Sequence, residues 1–212
     1  RNYMVKKERH ESTLNAIYKH NEKYFALSAV IFFGSMFIGY LHLLDFLMVP
    51  LQQQFKKSIM EGQIKIETFS LFFSNLEVLL KMFAGGIALG SITAIFIFIN
   101  GAFIGYFATQ APLGDFILLT IPHGIFEIIS FIIAGGAGFR LASFVYAFLR
   151  DLIEETWYGS FWGKLEHVYN NQKDQLTESI ILLGIAILLL LIAAVIEANF
   201  TIAWYQYIKG NI

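Results

Sequence analysis

Three ionisable residues lie in a stretch that is otherwise apolar. In IPHGIFE, His123 and Glu127 stand four residues apart, one helical turn, so that an imidazole and a carboxylate share one face and can share a proton or a cation. Pro122 lacks an N–H, which leaves the Leu118 carbonyl without its helical donor one turn below the histidine. Arg140 follows a glycine-rich segment containing Gly135, Gly136 and Gly138. A reversal of the chain there would return the guanidinium to Glu127. Asn100 and Glu197 are polar interruptions of two further apolar runs. A charge at membrane depth costs at least ~2.5 kcal/mol on insertion scales, so each of these groups needs a partner or a purpose.

Asn100, Pro122, His123, Gly124, Glu127, Arg140 and Glu197 therefore form the expected polar core. Three chemistries fit it: a satisfied pairing that only fixes packing, a proton or cation path, and a metal site on His123 and Glu127. The metal site is the weakest of the three, since H-x-x-x-E supplies two ligands where zinc needs at least three from the protein. H-E-x-x-H is absent, and neither a nucleophilic serine arrangement nor a phosphate-cradling glycine loop appears in a usable context. No enzyme activity and no cofactor is expected.

The elements that must position these residues are membrane helices. Over 212 residues the chain is 57% hydrophobic and 17% aromatic, and its apolar residues come in long unbroken runs rather than in alternation. The expected fold is all-α: a polytopic transmembrane bundle of four to five spans, six at most, with broken or re-entrant helices and interfacial amphipathic helices. Without cysteine there is no disulfide framework, and a net charge of −1 argues against nucleic acid as a partner. No small-residue cleavage pattern follows the charged start, so a removed signal peptide is not expected, and the missing initiator Met points to a trimmed front.

Along the chain, residues 1–24 form a cytoplasmic or interfacial segment and 25–207 the transmembrane domain. A first span is expected over Phe25–Val49, before Pro50. A polar loop follows, with a weak strand signal in Ile64-Lys65-Ile66. Between 68 and 81 the apolar residues recur with helical spacing, with Ser70, Ser74, Glu77 and Lys81 opposite, which predicts an amphipathic helix lying in the interface. The next span runs from Met82 to Thr109, interrupted at Asn100-Gly101. The pairs Gly86/Gly90 and Gly101/Gly105 have the GxxxG spacing that admits a neighbouring backbone, in this chain or a second copy. From Asp115 to Leu149 the chain is too long for one crossing, so a break is expected at Gly135-Gly136-Ala137-Gly138, followed by a further crossing or a half-buried return, of which charge counting favours the crossing. Residues 150–178 are polar, with Trp157, Tyr158, Phe161 and Trp162 as an aromatic belt, and a last span runs from Ser179 to Trp204. Five crossings with the N-terminus inside place nine Lys and Arg on the cytoplasmic side against five outside.

IPHGIFE with AGGAGFRL, the NG of Asn100-Gly101, SNLEV leading into AGGIALG, and the closing VIEANFT together resemble the stage II sporulation protein M family, from about Phe69 to Thr201. Ser74 stands where that family often has a second Asn, and the proline common after Glu127 is missing. The resemblance implies a multi-pass protein of the cell membrane with about five helices, whose name-giving member anchors peptidoglycan-degrading enzymes during engulfment. It implies no catalytic residue, and it puts Asn100, His123, Gly124, Glu127, Gly138, Arg140 and Glu197 on signature positions. Two functions compete: a non-enzymatic scaffold, homo-oligomeric in the lipid bilayer and binding membrane or envelope proteins, and an ion or proton transporter built on the polar core.

Overall fold

The computed structural model describes residues 2–62 and 68–210, with side chains from Asn15 onward. Every element among the described residues is helical: α1 (Asn2–Tyr40), α2 (Asp45–Met60), α3 (Thr68–Ala84), α4 (Ser91–Phe107), α5 (Leu113–Glu154), α6 (Phe161–Asn199) and α7 (Thr201–Gly210). The strand signal at Ile64-Lys65-Ile66 lies outside the described residues. Four helical segments are long and apolar enough to cross a membrane: Asn15–Tyr40, Thr68–Ala88, Leu113–Glu154 and Phe161–Asn199; α4 is apolar but shorter.

The breaks fall elsewhere than the sequence suggests. The first helix stops at Tyr40 instead of reaching Val49. His42, in the left-handed region at φ 58°, turns the chain, its ring hydrogen-bonds Asp45, and Pro50 falls inside α2. Helix α4 passes through Asn100-Gly101 unbroken. The interruption comes earlier, where a 3-10 turn over Gly85–Ala88 is followed by Leu89 at φ 53° and Gly90 at φ 81°. Thr93 Oγ1 donates to the Met82 carbonyl at 2.7 Å, so α3 and α4 close into a hairpin.

No break occurs at Gly135–Gly138. Helix α5 is continuous for 42 residues, ~63 Å. A helical glycine costs about 1 kcal/mol relative to alanine, and here close packing offsets that. A methyl group at Gly138 would overlap the Met82 carbonyl and Thr93, one at Gly135 would strike Ile97 and Ser28, and one at Gly136 would strike the Phe25 ring. The glycines are the grooves in which α1 and the α3–α4 hairpin sit, and a straight α5 is what lets all of them pack at once.

The same logic governs the GxxxG pairs. Gly101 abuts Phe32 and Ser35, Gly105 abuts the Met36 carbonyl, Gly86 abuts the Gly138 carbonyl, and Gly90 lies against Phe139. All four are used within the chain. These contacts set the directions: α4 runs parallel to α1, and α6 runs antiparallel to α5, as the pairs His123–Thr201, Arg140–Glu178 and Asp151–Gln172 require. Helix α2 packs on α4 through Met48, Ala102 and Tyr106. Lys209 of α7 pairs with Asp115 at 2.7 Å, a hydrogen bond that holds its ammonium above the ordinary lysine pKa.

Candidate functional site

The ionisable residues assemble into two separate layers. In the first, His123 and Glu127 project from one face of α5. Asn75 on α3 donates from Nδ2 to Glu127 Oε1 at 2.9 Å. Glu197 on α6 stands two residues before Asn199, at the same end of the bundle. His123 Nδ1 is 3.2 Å from the Thr201 hydroxyl, where α6 gives way to α7. Asn199 Nδ2 reaches Thr68 Oγ1 at 3.3 Å, closing the same end of the bundle.

The second layer contains Arg140. The expected return of its guanidinium to Glu127 does not occur. The two residues are 13 positions apart on an unbroken helix, ~20 Å along its axis, and they point to different neighbours. Arg140 Nη2 instead meets Glu178 Oε2 on α6 at 2.8 Å, with both side chains 14% exposed. Asn21 on α1 donates to the same oxygen at 3.0 Å, His20 Nδ1 lies 3.0 Å from the other, and the Tyr24 ring stacks 5.8 Å from the guanidinium. One carboxylate thus ties together α1, α5 and α6.

Between the layers lie Phe32, Leu79, Met82, Ile97, Phe131, Ala134, Ala186 and Leu190, all at most 2% exposed. Asn100 joins neither layer, since its side chain donates to the Phe96 carbonyl of its own helix at 2.8 Å. Pro122 lies within α5 beside His123, and Gly124 is buried against Thr120. Among the described residues no three His, Asp or Glu converge as metal ligands, so His123 and Glu127 acquire no third ligand from these residue types there.

Asn75 and Glu178 were not singled out from the sequence, although each carries a signal. Asn75 falls three residues after Phe72 and four before Leu79, a polar residue on the apolar face of its helix. Glu178 is the last charge before the uncharged run Ser179–Ile196, where only a partner at the membrane boundary would stabilise it. Trp157, Tyr158, Phe161 and Trp162 lie at the far end of the arm formed by the C-terminal part of α5 and the N-terminal part of α6, about 25 Å along α6 from Glu178.

The sequence profile of the family described as Stage II sporulation protein M matches residues 28–202. An uncharacterized protein of Methanocaldococcus jannaschii is 34% identical over 137 residues, 62% of this chain and 69% of that relative. No solved structure matches.

Proposed function

The chain belongs to the stage II sporulation protein M family, and from that premise we propose that it is a non-enzymatic scaffold of the cell membrane, crossing it five times through α1, α3, α4, α5 and α6. The observation that carries this reading is that the two ionisable layers are separated by a closely packed core whose buried side chains are apolar apart from small hydroxyls such as those of Ser28 and Ser130, with no ionisable group among the described residues buried there. Within the layers the Arg140–Glu178, Asn21–Glu178 and Asn75–Glu127 contacts each join two helices, as interhelical fasteners do. A conduction path needs polar groups or water in sequence across the midplane. The polar arm of α5 and α6 supports the reading from the other side. It extends beyond Arg140 and ends in exposed Ile153, Tyr158, Phe161 and Trp162, apolar chemistry suited to recruiting a partner protein.

An ion or proton carrier is the second reading, favoured by the gathering of His123, Glu127 and Asn75 in one layer, where an imidazole and a carboxylate stand one turn apart within an apolar helix. Purified protein in liposomes separates the two. The scaffold predicts proton and cation leakage equal to that of empty liposomes. Flux that Glu127→Gln abolishes, in protein that remains folded, would overturn it in favour of the carrier.

A further inference from the structure

One of the five histidines sits against the aromatic tip of the arm. The turn between α5 and α6, residues 155–160, folds back onto the first turns of α6. Trp157 Nε1 donates to the Ser160 carbonyl at 3.0 Å, and Ser160 Oγ caps α6 by accepting from the Gly163 N–H at 3.1 Å. The indole lies so close to the turn that a methyl group at Gly159 would strike its Nε1. The same ring faces His167, one helical turn beyond Gly163, with ring centroids 5.2 Å apart and planes inclined by 30°.

Two groups compete for Nε2 of this histidine. Asn171 Nδ2, on α6, lies 3.2 Å away, and Glu155 Oε2, in the turn, lies 3.7 Å away. A neutral imidazole with its lone pair on Nε2 accepts from the amide, a bond that stays within α6. A protonated imidazole is a donor at both nitrogens, so the amide N–H becomes the wrong partner and the carboxylate the right one. Protonation therefore transfers the bond of His167 from its own helix to the turn. It also sets a cation against the Trp157 ring at a distance where an indole attracts it.

The surrounding charges leave this exchange to Glu155. On α5, Arg150 and Asp151 are paired with each other, Asp151 also accepts from Gln172, and Glu154 lies beside Arg150. On α6, Glu166 precedes His167 and projects from a different face of the helix. The Lys164 ammonium donates to the Glu155 carbonyl at 2.6 Å; its charge opposes a proton on His167, while its hydrogen bond keeps Glu155 within reach of the ring. We propose that His167 is a proton-operated clamp on the α5–α6 tip. Its imidazolium draws Glu155 and Trp157 onto α6 and its neutral form releases them, so the arrangement of the exposed Tyr158, Phe161 and Trp162 follows the pH around the tip. The closed turn is stabilised where the imidazole is protonated, and that stabilisation is lost as pH rises. Control of partner binding by the clamp rests on the tip being the recruiting surface, as inferred above; the clamp itself does not.

Trp157 reports on its own turn once the other two indoles, Trp162 and Trp204, are replaced by Phe. The fluorescence of this protein is followed between about pH 8 and pH 5, the range in which a histidine ordinarily changes charge, with and without acrylamide. Acidification is expected to quench Trp157 along a single-proton curve, as an imidazolium in contact with an indole does, and to reduce its access to acrylamide as the turn closes. His167→Gln should abolish both changes, and Glu155→Gln should move the curve to lower pH. The proposal is overturned by emission that does not respond to pH, by a response that survives in folded His167→Gln protein, or by a response at constant acrylamide access, which would mean a titrating histidine beside a turn that does not move. No partner takes part in this measurement, so failure of the clamp and failure of the recruiting surface are read separately.

Discussion

Glu178 shows what a single carboxylate does at the edge of an apolar bundle. It accepts from Arg140, Asn21 and His20, on two other helices, so its negative charge is held by a guanidinium and neutralised locally. Removing one partner of such a pair costs more than the pair contributes, because a charge is left without compensation. Arg140→Ala is therefore expected to destabilise the protein by about 3–5 kcal/mol in thermal unfolding in detergent, and Arg140→Ala with Glu178→Gln by clearly less. An Arg140→Ala protein as stable as the parent would show that the knot is ornamental. The glycines make a parallel case. Gly105→Val forces a branched side chain into the Met36 carbonyl and is expected to cost at least about 2 kcal/mol through overpacking, while Gly34→Ala and Gly184→Ala, helical positions that meet nothing within 4 Å, should leave stability unchanged or raise it by up to about 1 kcal/mol in the same assay.

Among the elements, the α3–α4 hairpin depends on two successive left-handed residues, and only one of them is glycine. Leu89 bears a steric penalty of about 1 kcal/mol that Gly90 does not. Leu89→Gly should leave thermal stability unchanged or raise it slightly, and Gly90→Ala should lower it; the reverse order would mean that the turn is held otherwise. This hairpin also shows how far the sequence could be followed. The apolar runs and the membrane class were legible because the bilayer imposes them on composition and length. The breaks were not, because a glycine permits a bend as readily as it permits close contact. At Gly135–Gly138 the contacts with Phe25, Ser28, Met82, Thr93 and Ile97 go with a straight helix, whereas at Gly85–Gly90 equally close contacts with Gly138, Leu141 and Phe139 go with a reversal, which Leu89 and Gly90 turn in the left-handed region and Thr93 ties to Met82. Likewise His123 and Glu127 were found from their own spacing, while Asn75 became their neighbour only through the packing of α3 on α5.

For the whole molecule, the proposed scaffold amounts to a closely packed and mostly apolar core with one ionisable layer toward each end, and an arm formed where α5 and α6 continue beyond Arg140 and Glu178. Because both helices pass unbroken from bundle to arm, a load on the aromatic tip is transmitted to the Arg140–Glu178 knot without a hinge. That suits an anchor. It also requires that water does not reach the layer around Ala134, which is fully buried between Phe131, Ile97 and Ala186. The most direct measurement is the reaction of Ala134→Cys, in the folded protein in a bilayer, with a small water-soluble thiol reagent. Modification is expected to be undetectable over the time in which Asn170→Cys on the arm reacts to completion. Comparable reaction of Ala134→Cys would mean that water penetrates to the midplane, and the sealed scaffold would have to be abandoned.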